Sequence, residues 1–160
     1  MRDKTENKIA KILHGRLTKA SGAVNDDADI RIPGFLIESK RRDTVKSIVF
    51  YPKIWEKLRK QCVQTNRLPL YMFSSNGKTY CITYKDLLTS DIMKGKRIIK
   101  TRTSGRLKSN IHIDPEEYWN AHDLAYVAKA YPMLVFFYKN MAYGIIDLDT
   151  LRICLNGRMK

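Results

Sequence analysis

The sequence predicts a single α/β domain in which a mixed central sheet is flanked by helices. Its length of 160 residues suits one domain with its own core. Its hydrophobic content of 44% and charged content of 29% are typical of globular proteins. Along the first half of the chain, apolar residues alternate between helical and strand spacing, which gives the order helix, hairpin, helix, hairpin.

The first elements follow from local patterns. Residues 3–17 predict a helix because Ile9, Leu13 and Leu17 recur at helical spacing. Residues 19–27 predict a loop or a short strand because they are mostly small or turn-forming. Two β-rich arms flank Pro33-Gly34 and predict a hairpin over residues 29–40. The remaining predicted elements of this half are a strand (47–51), a helix (52–66) and a second hairpin (69–73 with 80–83).

The second half predicts a basic extension, residues 89–160, attached to a core formed by residues 1–88. Weak but ordered similarity at offsets of 62 and 63 residues favours a degenerate repeat of residues 29–88 packed on the same domain. Chance similarity between two hairpins is the alternative. At offset 62, Lys100 and Arg102 stand where Glu38 and Lys40 stand in the first half, so the second copy would have lost its acids.

The charge balance predicts a polyanionic partner. Thirty basic residues against 16 acidic ones give a net charge of +14, which favours nucleic acid first and an anionic membrane surface second. A basic solvated surface without a partner is the alternative. We expect no spanning helix, because no run of about 18 apolar residues exists, and no secretory signal begins the sequence. We expect no membrane-surface association either, because no amphipathic Lys/Arg helix with a Trp/Phe face stands out.

The three cysteines, Cys62, Cys81 and Cys154, are odd in number and widely spaced. They form no zinc motif, and buried free thiols in a reducing compartment are the expected state. This predicts a cytoplasmic protein, or one of the host cytoplasm if its source is a virus.

The first hairpin contains the candidate chemistry. If Pro33-Gly34 is a two-residue turn, paired positions sum to 67, so Asp29 faces Glu38 on one side of the sheet. Two carboxylates this close repel each other unless a cation lies between them or one is protonated. Both carboxylates and the Ser39 carbonyl are oxygen ligands that suit Mg²⁺. A bulge in the hairpin would shift this pairing.

Lys40 shares the face of Glu38, because the two residues are two positions apart in one strand. An ammonium group there can orient a water molecule and stabilise negative charge on a phosphate, which predicts hydrolysis of a phosphodiester. The alternative is structural: the same register places Asp27 opposite Lys40, where the two would form a cross-strand salt bridge.

The run Ser21-Gly22, Asp29, Glu38-Ser39-Lys40 resembles the signature of the PD-(D/E)xK nucleases, and most of all the archaeal-type Holliday-junction resolvases and their phage relatives. Glu6, the helix from Pro52 and the strand 69–73 follow the family order. The resemblance covers about residues 1–88. It departs from the family in Ala28, which replaces the usual proline, and in Asp26 and Asp27, which are rival carboxylates.

The resemblance implies a restriction-endonuclease-like core that contains a catalytic Mg²⁺, for which Mn²⁺ can substitute. It implies that Glu6 supports the metal site, although a first-turn glutamate that complements the helix dipole is the alternative from position alone. It implies that Ser21 lies near the scissile phosphate, where a plain turn is the alternative. The expected catalytic set is therefore Glu6, Ser21, Asp29, Glu38 and Lys40, with metal ligands Asp29, Glu38, Ser39 and Glu6.

Branched DNA, namely a four-way junction, is the implied substrate, and symmetric cutting of it implies a C2 homodimer. Basic residues are expected to contact phosphates with little base specificity. These residues are Lys19, Arg41, Arg42, Lys46, Arg97, Lys100, Arg102, Arg106 and Lys108. A PD-(D/E)xK nuclease of another specificity and a non-catalytic DNA-binding module are the competing interpretations.

Overall fold

In the computed structural model, which describes residues 4–17, 29–107 and 109–158, the chain is an α/β protein built on one large mixed sheet. Five helices are described: α1 (Lys4–Ile12), α2 (Pro52–Thr65), α3 (Lys85–Leu87), α4 (Pro115–Val127) and α5 (Leu148–Arg158). A π-helical turn, Leu88–Ile92, continues α3. Within these residues, no helix is both long enough and apolar enough to cross a membrane. The predicted α/β class and flanked mixed sheet are confirmed.

Eleven strands are described. They are β1 (Arg16–Leu17), β2 (Ile30–Ile32), β3 (Phe35–Arg41), β4 (Ile48–Phe50), β5 (Leu68–Ser75), β6 (Lys78–Tyr84), β7 (Ile98–Arg102), β8 (Arg106–Leu107), β9 (Ile111–Ile113), β10 (Tyr131–Tyr138) and β11 (Met141–Asp147). Eight of them form the large sheet in the order β1-β2-β3-β5-β6-β11-β10-β7, and β4-β9-β8 form a small second sheet. Only the pairs β3–β5 and β7–β10 are parallel among these ladders.

Alternation along the strands divides the core into two layers. On one face of the large sheet, Ile37 and Met72 pack with α1 and α5. On the other face, Leu36 and Tyr71 pack with α2, α4 and the small sheet. The three cysteines are buried free thiols, as predicted.

The first helix is shorter than the predicted 3–17 and ends near His14, which has a left-handed φ of 56°. At Gly15 a Cβ atom would lie 2.8 Å from methyl groups of both Ile30 and Ile32. The chain therefore passes directly against β2 here, and residues 16–17 form β1 instead of a last helical turn. Helical periodicity does not reveal such a close approach of two backbones.

The hairpin β2–β3 has the predicted register. Ile30 pairs with Ile37 and Ile32 pairs with Phe35, so paired positions sum to 67. Gly34 has φ +84°, which suits the position that a type II turn reserves for glycine after proline. The helix from Pro52 and the second hairpin around Asn76-Gly77 are also confirmed.

The two halves of the sheet are built alike. Strands β3, β4, β5 and β6 recur as β7, β9, β10 and β11 at an offset of 63 residues, and α2 recurs as α4. The registers repeat as well, since Phe35 pairs with Leu68 and Ile98 pairs with Tyr131. Where the halves meet, Ile82 pairs with its own counterpart Ile145 in an antiparallel ladder. Equivalent residues that face each other in this way define a local two-fold axis.

The offset of 63 corrects one sequence-based expectation. Thr101 and Thr103 occupy the positions of Glu38 and Lys40, whereas Lys100 and Arg102 point to the other face of the sheet. The position equivalent to Asp29 is Ile92, which is buried in the π-helical turn. The parallel ladders fix the offset at 63 residues. A match at offset 62 is shifted by one residue and therefore pairs side chains that lie on opposite faces of the sheet.

Tyr118 lies in the core and belongs to a buried polar network. Its hydroxyl donates to Asp147 Oδ1 at 2.5 Å and accepts from the Asp147 backbone N–H at 2.8 Å. Thr150 Oγ1 donates to the same carboxylate at 2.6 Å. Each buried donor and acceptor of this network is therefore matched to a partner.

Tyr118→Phe is expected to destabilise the protein by about 1–3 kcal/mol, because it removes two hydrogen bonds from buried polar groups. Urea unfolding followed by circular dichroism measures this. Tyr126→Phe is the matched control, since Tyr126 lies on the same helix and is 79% exposed. Equal stability of the two variants would contradict the assigned role of the network.

Candidate active site

The two acids of the first hairpin meet at the start of β2. The ladder pairs Ile30 with Ile37, and its continuation by one residue sets Asp29 opposite Glu38. Asp29 Oδ2 accepts a hydrogen bond of 2.9 Å from the Ser39 backbone N–H, which holds this carboxylate against β3. Asp29, Glu38 and Ser39 are all half-buried. The predicted facing pair of carboxylates is therefore confirmed in geometry.

This arrangement raises the pKa of Glu38 from its usual value to about 9. Burial is the largest cause, followed by the hydrogen bond to Asp29 and the charge of Asp29. Lys57 lowers the pKa, and Glu6 adds a smaller increase through its charge. Near neutral pH, Glu38 is therefore protonated, whereas a carboxylate exposed to water would be ionised.

Glu6 lies half-buried on α1, the helix that covers the opposite face of the sheet. Its negative charge reaches Glu38, but this effect is the smallest of those that shift the Glu38 pKa. The neighbouring Thr5 hydroxyl lies 3.5 Å from Arg41 Nη1 at the end of β3. The structure thus brings Glu6 into electrostatic range of the acidic pair.

Lys40 is half-buried on the same face of β3 as Glu38. Its ammonium group lies 6.0 Å from the centre of the Tyr51 ring, immediately before α2 begins. The face that Leu36 closes with apolar packing thus becomes polar at Glu38 and Lys40. The polar end of β3 and the N-terminal half of α2 form the walls of the site.

Sequence reasoning missed Lys57, the cation whose charge acts on Glu38. It lies on α2 between Lys53 and Lys60, so the three lysines follow the helical spacing i, i+4, i+7. That spacing was visible in the sequence, but it is common on solvated helix faces. Only the packing of α2 against β3 distinguishes this stripe from an ordinary exposed one.

Among the described residues, no group of three or more His, Cys, Asp or Glu side chains is arranged to hold a metal ion. Asp26 and Asp27 lie outside the described residues, as do Ser21, Lys19 and Lys108. The pair Asp29 and Glu38 nevertheless fits a divalent cation by its chemistry. Two oxygen-donor groups that repel each other, with a third negative charge nearby, are neutralised best by a hard cation.

The basic residues at the end of β3 and just after it are exposed, namely Arg41, Arg42 and Lys46. Arg41 is engaged by Asp43, since Arg41 Nη2 lies 2.6 Å from Asp43 Oδ2. The Asp43 carboxylate also accepts a hydrogen bond from the Asn76 backbone N–H at 3.0 Å. Arg41 therefore helps to order the loop after β3. Among the described residues, no hydrogen bond or ion pair is seen for the side chain of Arg42.

The second basic group lies far from the acids. Strand β7, which carries Lys100 and Arg102, is five strand positions from β3, or roughly 24 Å at the usual spacing of strands. The Arg102 guanidinium lies over the Phe137 ring, 4.8 Å from its centre. Arg106 instead joins Lys46 in a cavity of about 620 Å³ beside the small sheet.

Arg97 is exposed immediately before β7. The distant basic residues therefore fall on two surfaces, one at the far edge of the large sheet and one at the small sheet. Arg97, Lys100, Arg102 and Arg106 are close in sequence, but residues 103–105 separate Arg106 from the other three in the fold.

Comparison with known proteins gives no assignment: the sequence matches no protein-family model and no curated protein. The residues of the site are therefore the basis for assigning an activity.

Proposed function

We propose that the chain is a divalent-metal-dependent DNA endonuclease with a restriction-endonuclease-like core. The observation that carries the proposal is the facing pair Asp29 and Glu38, with Lys40 on the same strand face. The net charge of +14 supports a nucleic-acid substrate. The first half also has elements in the order that the resemblance implies: a first helix, the strand that carries Glu38 and Lys40, the helix from Pro52 and the strand Leu68–Ser75.

Asp29 and Glu38 would hold the cation, with the Ser39 carbonyl as a third oxygen donor and Glu6 as a nearby charge. When bound, such a cation polarises a phosphoryl oxygen and lowers the pKa of a water molecule. The Ser39 backbone N–H fixes the orientation of the Asp29 carboxylate. The charge of Lys57 acts on Glu38, and Lys40 lies on the same strand face as Glu38. Both ammonium groups would stabilise negative charge that develops on a phosphate.

We propose a four-way junction as the substrate and a homodimer as the active form. Within the described residues, the second half has no counterpart of the acidic pair, because Ile92 and Thr101 occupy the positions of Asp29 and Glu38. Two symmetric cuts therefore need two chains. The internal two-fold arrangement of the sheet does not replace the second active site.

Cleavage of a synthetic four-way junction, compared with duplex and flap DNA of related sequence, tests this proposal. Symmetric nicks in the junction that require Mg²⁺ or Mn²⁺ and disappear with a chelator are the expected result. Equal or faster cleavage of the duplex would favour a nuclease of another specificity. Binding of all three substrates without cleavage in either metal would contradict the nuclease proposal and favour a DNA-binding module.

A further inference from the structure

The outer face of α2 carries a groove that includes Lys57, the lysine whose charge acts on Glu38. Its volume is about 510 Å³. Its walls come from α2 and from the β10–β11 turn, and four of its lining residues are lysines: Lys53, Lys57, Lys60 and Lys139. Glu56 is the one acidic residue in the lining, and it accepts a hydrogen bond of 2.8 Å from Arg59. The groove is therefore strongly positive.

Lys57 links the groove to the site. It lines the groove, and its charge acts on Glu38 across the gap between α2 and β3. Lys53 lies one turn closer to the start of the helix, and Lys60 lies one turn further on. The lysines thus form a row along the helix, and the member that acts on Glu38 lies at its centre.

The second half of the chain provides an internal comparison. At the offset of 63 residues, Lys53, Lys57 and Lys60 correspond to Glu116, Asn120 and Asp123 on α4. The same helix in the same architecture is therefore acidic or neutral where the acidic pair is missing. The row of lysines is a property of the half that contains the acids, not of the repeated fold or of a uniformly basic surface.

Gln61 gives a second reason to expect a polar ligand. It lines the groove, and within the described part of the chain neither its buried amide nitrogen nor its buried amide oxygen has a hydrogen-bond partner. A buried polar group without a partner costs about 1–3 kcal/mol. A ligand with acceptor oxygens, together with ordered water, would satisfy such an amide.

We infer that this groove binds the phosphodiester backbone of one nucleic-acid strand and directs it to the acidic pair. The second part of the inference rests on the proposed nuclease function, whereas the binding part does not. Phosphates spaced along a strand match a row of ammonium groups on successive helical turns, and such contacts are independent of base sequence.

The test measures binding of fluorescein-labelled single-stranded and duplex oligonucleotides by anisotropy, in a chelator, over a series of salt concentrations. The variant is Lys53→Gln with Lys60→Gln, which leaves Lys57 in place. We expect about tenfold weaker binding at low salt, and a slope of log affinity against log salt that is smaller by about 1.4–1.8. Lys53→Arg with Lys60→Arg, which retains both charges, should bind like the unmodified protein.

Lys11→Gln with Lys129→Gln is the matched control. Both lysines are exposed and outside the groove, and the change in net charge is the same. Equal weakening in the control and the groove variant would overturn the inference. Because the measurement needs no cleavage, the binding result stands even if the protein does not cleave DNA. If the protein cleaves DNA but the groove variant binds it as tightly as the unmodified protein, only the inference about the groove is overturned.

Discussion

Lys40→Gln is expected to slow DNA cleavage by about 10²–10³-fold while leaving DNA binding nearly intact. The ammonium group lies on the face of Glu38 and beside Tyr51, at the point where the scissile phosphate would approach the acids. Loss of one preorganised charge of this kind slows a reaction by about 10²–10³-fold. Single-turnover cleavage of the junction, with enzyme in excess, measures this rate without a contribution from product release.

Glu38→Ala should reduce the same rate at least as much, because it removes one of the two carboxylates that would hold the cation. Glu116→Ala and Lys11→Gln are the matched controls, since both side chains are exposed and lie outside the site. Anisotropy in a chelator separates binding from chemistry. Cleavage by Lys40→Gln at the unmodified rate, or a loss of binding as large as the loss of cleavage, would contradict the assigned role.

The facing carboxylates could be predicted because they depend on local rules. Alternation fixes which residues share a face, and a two-residue turn at Pro33-Gly34 fixes the register. Both rules act within about a dozen residues. The early end of α1 followed no such rule, because the close approach of Gly15 to Ile30 and Ile32 is a long-range packing effect.

The role of Lys57 and the repeat register also needed the structure. Lys57 becomes relevant only when α2 packs beside β3, and periodicity within α2 carries no information about that neighbour. The repeat was visible at proline and aromatic positions, but single matches fitted offsets of 62 and 63 equally well. The parallel ladders distinguish the two, because a shift by one residue exchanges the two faces of a strand.

Glu38→Gln is expected to stabilise the protein in the absence of metal. Burial and the nearby Asp29 raise the pKa of Glu38 to about 9, whereas in the unfolded chain it is close to the ordinary value. Between these two values the folded state holds a proton that the unfolded state releases, so the free energy of unfolding falls as pH rises. An uncharged amide of the same shape removes this effect.

We expect Glu38→Gln to be more stable than the unmodified protein by about 2–4 kcal/mol at pH 8 in a chelator, since one pKa unit corresponds to about 1.4 kcal/mol. The free energy of unfolding of the unmodified protein should fall as pH rises from weakly acidic values to about 9, and that of Glu38→Gln should not. Urea unfolding at several pH values measures both. Glu116→Gln, on the exposed face of α4, is the control and should retain the decline.

Added Mg²⁺ extends the same experiment to the proposed metal site. A cation that binds the folded state between Asp29 and Glu38 raises the free energy of unfolding in proportion to its occupancy. The unmodified protein should therefore gain stability on addition of Mg²⁺, most strongly at high pH where both carboxylates are ionised, and Glu38→Gln should gain little. If Glu38→Gln were less stable than the unmodified protein in a chelator, the carboxylates would not repel each other in solution, and the chemical reason for a cation between them would be lost.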